Sequence, residues 1–519
     1  MATVSNVSQN QSLPQAKQPE VDMMIVPAIR ILDSNANPVR KNGDYVLYWM
    51  IANRRLTYNY SLQRTVEWAT KLGKPILILE ALNVDYEWAS VRIHRFVVQG
   101  MADHREAAAK AKVSYLPYVE PQKGAGSGML KALADKACVV VTDDFPCFFL
   151  PQMVKAAAAK INIKMEAVDS NGIYPLRDTD RVFTKAFSFR NHLQKTITPY
   201  LTELPVRNPL ATKKLVKQDC IPKTILKKWP AATDTILKAT SESFVDLPID
   251  QSIGPAVIEG GPIAAKQTCR DFLKHKLHRY ADDRNQPDTD PSSGLSAYLH
   301  FGHISSHDVF AQLVADEEWT VDQLNDVKQT KGSRQGWWNM SAAAEAFLDQ
   351  LITWREIGYN MCAWTNDFDQ FQSLPDFAQK TLREHATDLR PYVYSYEQFR
   401  DSKTHDDIWN AAQNQLVTEG RMHNYLRMLW GKKILEWSPT PQDAIETMID
   451  LNNRYAVDGR NPNSYSGIFW VLGRYDRAWG PEREIFGKIR FMSSDSTRRK
   501  LKLKAYLKQF GVRQTNRLF

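Results

Sequence analysis

Apolar residues in the first third of the chain form short continuous runs, and segments of helical period separate these runs. Short apolar runs between helices are typical of parallel strands that are buried on both faces of a sheet. The predicted strands are Tyr45–Met50, Pro75–Leu82, Val113–Val119, Cys138–Thr142 and Ile161–Val168. The predicted helices between them are Ser61–Leu72, Arg92–Ala111, Met129–Ala137 and Pro151–Lys160. This alternation predicts a doubly wound, Rossmann-like α/β domain with a parallel sheet over residues 25–172.

The pattern changes beyond Pro262, where the strand signal ends and long amphipathic segments follow. The predicted helices are Ala264–Tyr280, His307–Ala315, Ala342–Cys362, Ile408–Trp437 and Thr440–Arg454. We therefore expect an all-α domain over residues 262–519. Residues 173–261 carry scattered prolines and basic residues and are interpreted as an interdomain linker. Residues 1–24 are rich in Ser, Gln, Asn and Pro and are expected to form a disordered tail.

The composition is that of a globular protein, with 519 residues of which 43% are hydrophobic and 24% charged. No apolar run approaches the ~18 residues of a membrane span, so no membrane association is expected. The five cysteines are widely spaced and form no CxxC pair. This pattern argues against a disulfide scaffold and favours a reducing compartment.

Positive charge is concentrated at the C-terminus. The net charge of the chain is +9, and the segment from Ile485 to Phe519 contains ten Lys or Arg residues and one acid, Asp495. A basic region on a neutral body is typical of proteins that bind polyanions. A solvated basic helix or tail explains the same charge, so charge alone leaves both interpretations open.

Three short motifs have the residue types of ligand sites. His300, His303 and His307 have metal-like spacing, but no Glu or Cys accompanies them, so capping near a helix start is favoured and no metal is expected. The run Gly124–Gly128 lies between a strand and a helix, yet its G-x-G-x-G pattern favours a flexible loop over a dinucleotide site. The run Ser292–Ser296 combines hydroxyls, a glycine and a helix start, as an anion cradle would.

Tryptophan is unusually frequent in the second half of the chain. Ten of the 14 tryptophans lie between Trp319 and Trp479. Trp430 and Trp437 are two helical turns apart and share one face, with Trp409 on the preceding segment. Core packing explains such a cluster, and so do base stacking, flavin packing or electron transfer.

Five segments together resemble the class II cyclobutane pyrimidine dimer DNA photolyases, of the photolyase and cryptochrome superfamily. They are Tyr45–Met50, Ser293–His303, Arg421–Trp437, Leu451–Gly467 and Phe486–Met492. The resemblance extends over residues 40–510. It implies an α/β antenna domain, a helical FAD-binding domain and repair of UV-damaged DNA by a photoexcited reduced FAD that donates an electron to a flipped-out dimer.

The resemblance also implies roles for individual residues. Those matching FAD contacts are Tyr280, Ser293, Gly294, Leu295, Ser296, Arg355, Arg427, Asn452, Asp458 and Gly459. Among these, Arg427 and Asp458 match an ion pair along the flavin ring, and Asn452 matches the residue that faces flavin N5. Those matching the photoreduction relay are Trp430, Trp409, Trp437 and Tyr394. Those matching lesion and DNA contacts are Gln350, Trp354, Met428, Trp470, Lys488 and Arg490.

Some positions depart from the family pattern. Gln350 stands where the family usually has a Glu that hydrogen-bonds the lesion, and Asn461 and Ser464 replace the usual residues of a second motif. Gln350 keeps one alternative open, namely repair of the (6-4) photoproduct. The other alternative is a cryptochrome-like blue-light photoreceptor, which the two aromatic lesion positions and the basic C-terminus disfavour. The sequence does not separate a deazaflavin from a folate antenna in the N-terminal domain, or from none.

The resemblance finally implies partners and a location. We expect UV-damaged DNA as the partner and a monomeric enzyme without a metal. We expect a cytoplasmic enzyme with access to DNA in a prokaryotic host, and a nuclear one in a eukaryotic host.

Overall fold

The computed structural model describes residues 25–511. The predicted tail of residues 1–24 lies outside the described residues, as does the end of the basic segment, residues 512–519. Within residues 25–511, no helix is both long and apolar enough to cross a bilayer.

A six-stranded sheet forms the centre of the N-terminal domain. Its strands are β1 (Ile31–Asp33), β2 (Tyr45–Met50), β3 (Ile76–Leu82), β4 (Ser114–Val119), β5 (Ala137–Asp143) and β6 (Met165–Val168). The order across the sheet is β1-β6-β5-β2-β3-β4, and every pair is parallel except β1 with β6. The predicted parallel sheet is confirmed, with two corrections: β1 was missed, and the last strand begins at Met165 instead of Ile161.

Helices cover both faces of the sheet. They are α1 (Tyr60–Leu72), α2 (Val91–Ala111), α3 (Met129–Ala134) and α4 (Leu150–Ala158). Alternate residues of β2 enter different cores, because successive strand side chains point to opposite faces. Tyr48 packs in the cluster that includes Leu62 of α1, whereas Leu47 packs in the cluster that includes Leu133 of α3. The continuous apolar strands are therefore buried on both faces of the sheet, as a doubly wound fold requires.

Residues 173–261 contain short helices that pack against both halves of the protein. These helices are α5 (Ala186–Thr196), α6 (Thr198–Thr202), α7 (Lys223–Lys228) and α8 (Asp234–Leu237). Phe189 and Leu193 of α5 join a core shared with Phe96 of α2 and Phe347 of the helical half. The segment interpreted as a linker therefore contributes to the hydrophobic core.

The C-terminal half is helical, as predicted. Its first helices are α9 (Pro262–His275), α10 (Tyr280–Asp283), α11 (Ser296–Phe301), α12 (Ser306–Asp316), α13 (Val327–Thr330), α14 (Ala342–Leu348) and α15 (Arg355–Trp364). The others are α16 (Asp376–Glu384), α17 (Tyr396–Arg400), α18 (Asp407–Glu419), α19 (Asn424–Trp437), α20 (Pro441–Tyr455), α21 (Pro462–Val471), α22 (Ser494–Lys500) and α23 (Lys504–Phe510). Single 3₁₀ turns occur at Ala28–Arg30, Pro209–Ala211, Ser241–Phe244, Leu277–Arg279, Val321–Gln323 and Phe371–Ser373.

Three of the predicted helices are interrupted. The segment Ile408–Trp437 is two helices, because Gly420 takes a φ of +74° and ends α18. The segment Ala264–Tyr280 is interrupted after α9 by a 3₁₀ turn. The segment Ala342–Cys362 holds a π-helical turn, Asp349–Trp354, between α14 and α15.

Candidate functional site

A cavity among the helices of the C-terminal half brings together residues that are far apart in the sequence. Its lining residues are Tyr280, Ser293, Ser296, Leu299, His300, Phe347, Gln350, Leu351, Arg355, Arg427, Asp458, Asn461, Asn463 and Ser464. Six predicted cofactor contacts lie among them, namely Tyr280, Ser293, Ser296, Arg355, Arg427 and Asp458. The wall combines hydroxyls and guanidinium groups with apolar side chains. This donor set fits a planar ligand that also carries phosphates.

Two arginines supply positive charge to the cavity. Arg427 Nη2 lies 3.1 Å from Asp458 Oδ1. Burial alone would raise the pKa of Asp458, but the Arg427 guanidinium holds it below its ordinary value, so the carboxylate stays charged. Arg355 is buried, and its Nη2 donates to the Tyr359 hydroxyl at 3.0 Å. Arg355 Nη1 has no hydrogen-bond partner among residues 25–511, which fits a ligand oxygen in this cavity.

The loop before α11 presents small polar groups to the cavity. Gly294 has a φ of +68°, which favours glycine, and Leu295 N donates to Ser293 Oγ at 3.3 Å. The turn lets Ser293 and Ser296 both line the cavity. Gly294 itself is exposed and Leu295 is buried in the core, so these two residues shape the loop.

Asn452 and Gly459 lie outside the lining set. Asn452 is buried in the last turn of α20, and its Nδ2 donates to Asn453 Oδ1 at 3.2 Å. A Cβ at Gly459 would lie 2.8 Å from the Asn452 carbonyl oxygen, so glycine lets the following loop fold back onto α20. This close contact anchors Asp458 to the end of the helix that carries Asn452.

Three buried tryptophans form a continuous aromatic chain. The rings of Trp430 and Trp409 are stacked with centroids 6.5 Å apart, and Trp409 meets Trp437 edge-on at 6.1 Å. Tyr394 lies 5.6 Å from Trp437 and is partly exposed. Trp430 is one helical turn from Arg427, which lines the cavity. The chain therefore leads from beside the cavity toward the surface.

Hydrogen bonds fix the rings of this chain. Trp409 Nε1 donates to the Trp430 carbonyl oxygen at 3.0 Å, and Trp430 Nε1 donates to Gln413 Oε1 at 2.9 Å. At the outer end, the Tyr394 hydroxyl lies 2.7 Å from His405 Nδ1. These hydrogen bonds hold the indoles of Trp409 and Trp430 each in one orientation.

Of the predicted lesion contacts, Gln350 lines the cavity, and Trp354, Met428 and Trp470 lie outside its lining set. Trp354 and Trp470 are both partly exposed, and both pack against the same hydrophobic core. Trp354 ends the π-helical turn in which Gln350 lines the cavity. Met428 follows Arg427 in α19 and is also partly exposed. Such π turns are frequent at functional sites.

Comparison with known proteins finds full-length relatives. A deoxyribodipyrimidine photo-lyase of Methanothermobacter thermautotrophicus is 31% identical over 93% of this chain and 98% of its own length. Those of Oryza sativa and Arabidopsis thaliana are 31% and 30% identical, over 90% and 92% of this chain and 87% and 91% of their own lengths. No family model matches the chain.

The chain belongs to the deoxyribodipyrimidine photo-lyase family. It is accordingly an enzyme of light-driven DNA repair, and the family implies a flavin cofactor and UV-damaged DNA as partner. The resemblance seen in the sequence is confirmed for the photolyase and cryptochrome superfamily. A class III photolyase from Agrobacterium tumefaciens has a similar fold, with a TM-score of 0.62 and 16% identity over 92% of this chain and 87% of its own. That likeness confirms the two-part α/β and helical architecture.

The predicted phosphate contacts of this photo-lyase lie at its surface. Lys488 is exposed and pairs with Glu482 at 3.5 Å. Arg490 pairs with Asp476 at 3.2 Å and lies 4.2 Å from the centroid of the Trp479 ring. Each of these two basic groups therefore has an acidic partner within the protein.

The three histidines of the His300–His307 segment point to separate partners. His300 Nδ1 lies 2.9 Å from Asn461 Nδ2, and His303 Nδ1 accepts from Gly261 N at 2.9 Å. His307 Nδ1 lies 3.0 Å from the hydroxyl of Ser305, which caps α12. Over residues 25–511, no three His, Cys, Asp or Glu side chains are grouped as a metal site requires.

A second cavity lies in the N-terminal domain, with a volume of about 240 Å³. Trp49 of β2 and Leu79 of β3 line it, near the carboxyl ends of the parallel strands, where doubly wound folds bind ligands. Phe148 lines it from the loop before α4. His300 lines this cavity and the first one, so the two sites share a wall.

Several residues of the site escaped the sequence analysis. Leu299, Phe347 and Leu351 line the main cavity but appear in the sequence as ordinary apolar positions on helix faces. Gln413 accepts a hydrogen bond from Trp430 Nε1 and is fully buried. Its polar amide gives no indication of this burial in the sequence. The available signal was helical spacing, since Phe347 and Leu351 are one turn apart and Gln350 is three residues from Phe347.

Proposed function

We propose that this photo-lyase repairs cyclobutane pyrimidine dimers and is a member of class II. The observation that carries the proposal is the pair Trp354 and Trp470. Both indoles are partly exposed, and Trp354 belongs to the same π-helical turn as Gln350, which lines the cavity. Stacked bases add about 1–3 kcal/mol each against aromatic side chains, so two indoles suit two linked pyrimidines held outside a duplex.

The main cavity is proposed to hold FAD. Ser293, Ser296 and the free Nη1 of Arg355 would hold the phosphates or ring carbonyls, and the Arg427–Asp458 pair would lie along the ring. Bound in its reduced form, FAD supplies a light-driven electron to the dimer. The protein positions the two partners and keeps water from the transfer.

The chain Trp430, Trp409 and Trp437, with Tyr394 at its outer end, is proposed as the relay that restores the reduced cofactor. Ring centroids 6.5, 6.1 and 5.6 Å apart make consecutive short steps between the cavity side and the surface. Asn452 is proposed to adjust the flavin ring, because an amide can donate or accept as the redox state changes.

The second cavity is proposed as the antenna site. Its aromatic and apolar wall suits a planar chromophore, and a deazaflavin and a folate are both compatible with the lining. Absorption and mass spectra of the molecule released from purified protein would identify it. We also propose a monomer that is cytoplasmic in a prokaryotic host and nuclear in a eukaryotic one.

The test is direct repair. Protein with reduced FAD is mixed with UV-irradiated oligothymidine and illuminated with blue light, and the return of thymine absorbance is compared with a dark control. We expect recovery in the light only. Recovery that fails while lesion DNA remains bound would contradict dimer repair.

Gln350 is the one site residue that favours a second substrate, the (6-4) photoproduct. It lines the cavity and lacks the negative charge of the usual Glu. Duplexes with either lesion should be repaired in parallel by the wild type and by Gln350→Glu. An unchanged preference removes the (6-4) alternative. A flavoprotein that photoreduces but neither binds nor repairs either lesion would instead be a photoreceptor.

A further inference from the structure

Lys432 is a buried cation that the proposed function does not use. It lies in α19, four residues after Met428, so both side chains occupy the same helix face. Its side chain is fully buried, and its Nζ donates to the carbonyl oxygen of Val471 at 2.5 Å. Buried lysines are rare and need compensating partners, so this position calls for an explanation.

Among the described residues, the hydrogen-bond partner of Lys432 and the ring nearest to its ammonium group both belong to the end of α21. Val471 is the last residue of α21, and a cation at a helix C-terminus interacts favourably with its free carbonyls. Nζ also lies 5.1 Å from the ring centroid of Trp470, the penultimate residue of that helix. One ammonium group thus holds both the helix end and the indole next to it.

We infer that Lys432 is a positioning residue, which in its charged form fixes the Trp470 indole for stacking on the lesion. The inference rests on the proposed function, since Trp470 is a proposed lesion contact. The role is distinct from that of Arg490, which lies 5.6 Å from the same ring but is partly exposed and paired with Asp476.

The charge of Lys432 depends on pH near neutrality. Burial is the main cause that lowers the pKa of Lys432, to about 7. The attraction of Asp476 opposes this shift, and the repulsion of Arg490 adds to it. These are the charged groups that face it from the loop after α21 and from the basic segment. The ammonium, and with it the contact to the indole, is therefore present below pH 7 and lost above it.

The adjacent Lys433 provides a matched control. Its Nζ lies 5.2 Å from the ring of Trp437 and 2.7 Å from Glu436, so it also combines a lysine with an indole. It faces the relay and not Trp470. Lys433→Met therefore makes the same chemical change as Lys432→Met without altering a contact to α21. A second variant, Lys432→Arg, keeps a permanent positive charge at position 432.

The experiment uses the FAD-loaded full chain labelled with 5-fluorotryptophan. The Trp470 fluorine resonance is assigned by its loss in Trp470→Phe and followed from pH 6 to 8.5. We expect it to shift with a midpoint near pH 7 in the wild type and Lys433→Met, and to stay constant in Lys432→Met and Lys432→Arg. A wild-type resonance that does not titrate, or one that still titrates in Lys432→Met, overturns the contact.

Binding to a duplex with one thymine dimer, and to the same duplex undamaged, is measured over the same range. At pH 6 we expect Lys432→Met to lose about tenfold in dimer affinity, with undamaged DNA unaffected and Lys432→Arg close to the wild type. Dimer affinity in Lys432→Met equal to that of the wild type overturns this inference alone. A wild type that does not prefer the dimer overturns the proposed function, while the fluorine titration still reports on the contact.

Discussion

Replacing Trp409 by Phe interrupts the aromatic chain at its centre. Trp409 is the only ring in contact with both Trp430 and Trp437 among the described residues, at 6.5 and 6.1 Å. We expect the variant to lose photoreduction of oxidised flavin and to keep repair activity when its flavin is reduced chemically. In the proposed function the tryptophan chain serves reduction of the flavin and not electron transfer to the lesion, so only the first reaction should depend on it.

The structural cost of this substitution is moderate. The variant loses the indole N–H that donates to the Trp430 carbonyl oxygen, a bond with a net value of about 1 kcal/mol. That carbonyl lies inside α19, where it also accepts from the helix backbone, so it is not left unsatisfied. The missing ring leaves a small void that adds about 1 kcal/mol. A total of about 2 kcal/mol is less than the 5–15 kcal/mol of a typical protein, so the variant folds with a Tm lower by a few degrees.

A second tryptophan supplies the control. Trp319 is also buried, and its Nε1 donates to the Trp338 carbonyl oxygen at 2.6 Å, away from the chain. Trp319→Phe therefore loses a similar bond and ring without touching the relay. Photoreduction is followed by the bleaching of flavin absorbance under blue light with an external thiol reductant. Wild-type bleaching in Trp409→Phe would refute the relay, and an equal loss in Trp319→Phe would attribute the effect to destabilisation.

Three further predictions concern the site and its surroundings. Asp458→Asn leaves the Arg427 guanidinium without its charged partner, so we expect a loss of about 1–3 kcal/mol in stability and less flavin per chain in absorbance spectra; full flavin occupancy would contradict this. Trp470→Ala should weaken dimer binding tenfold or more in gel-shift assays with flavin content unchanged, and a loss of flavin would instead assign that residue to the cofactor site. The lowered pKa of Lys432 means that the unfolded chain binds more protons than the native one from pH 7 to 10.5, so stability rises with pH by up to about 1.4 kcal/mol per unit. Denaturant midpoints at pH 7.5 and 9.5 should show that Lys432→Met flattens this rise, and an unchanged slope would exclude Lys432 as its source.

The fold was largely predictable because its signals are local. Strands such as β2 and β5 are apolar along their whole length, and the helices between them keep one apolar face. The misses have local causes as well. Strand β1 has three residues, two of them exposed, which is too short for a periodic pattern. Gly420 ends α18 because its φ is positive. A glycine within a helical pattern does not show in the sequence whether it continues the helix or ends it.

The site was less accessible to sequence reasoning. Tyr280, Arg355 and Asp458 meet in one cavity although more than 170 residues separate the first from the last, and only the family resemblance linked them. Periodicity places Phe347 on an apolar face but does not tell a core residue from a cavity wall. Lys432 had no signal at all, because its burial depends on how α21 packs against α19.

The π-helical turn Asp349–Trp354 makes the site depend on the number of residues in this segment. A π turn holds one residue more than the corresponding α-helical turn, so this segment resembles an insertion that the flanking helices have absorbed. Deleting one residue there would allow α14 and α15 to join as one regular helix, with little loss of helical structure. Because each helical residue turns the chain by about 100°, everything beyond the deletion would rotate relative to α14. Arg355 and Phe347 would then no longer face the same cavity, so the length of this turn is part of the site in the same sense as its side chains.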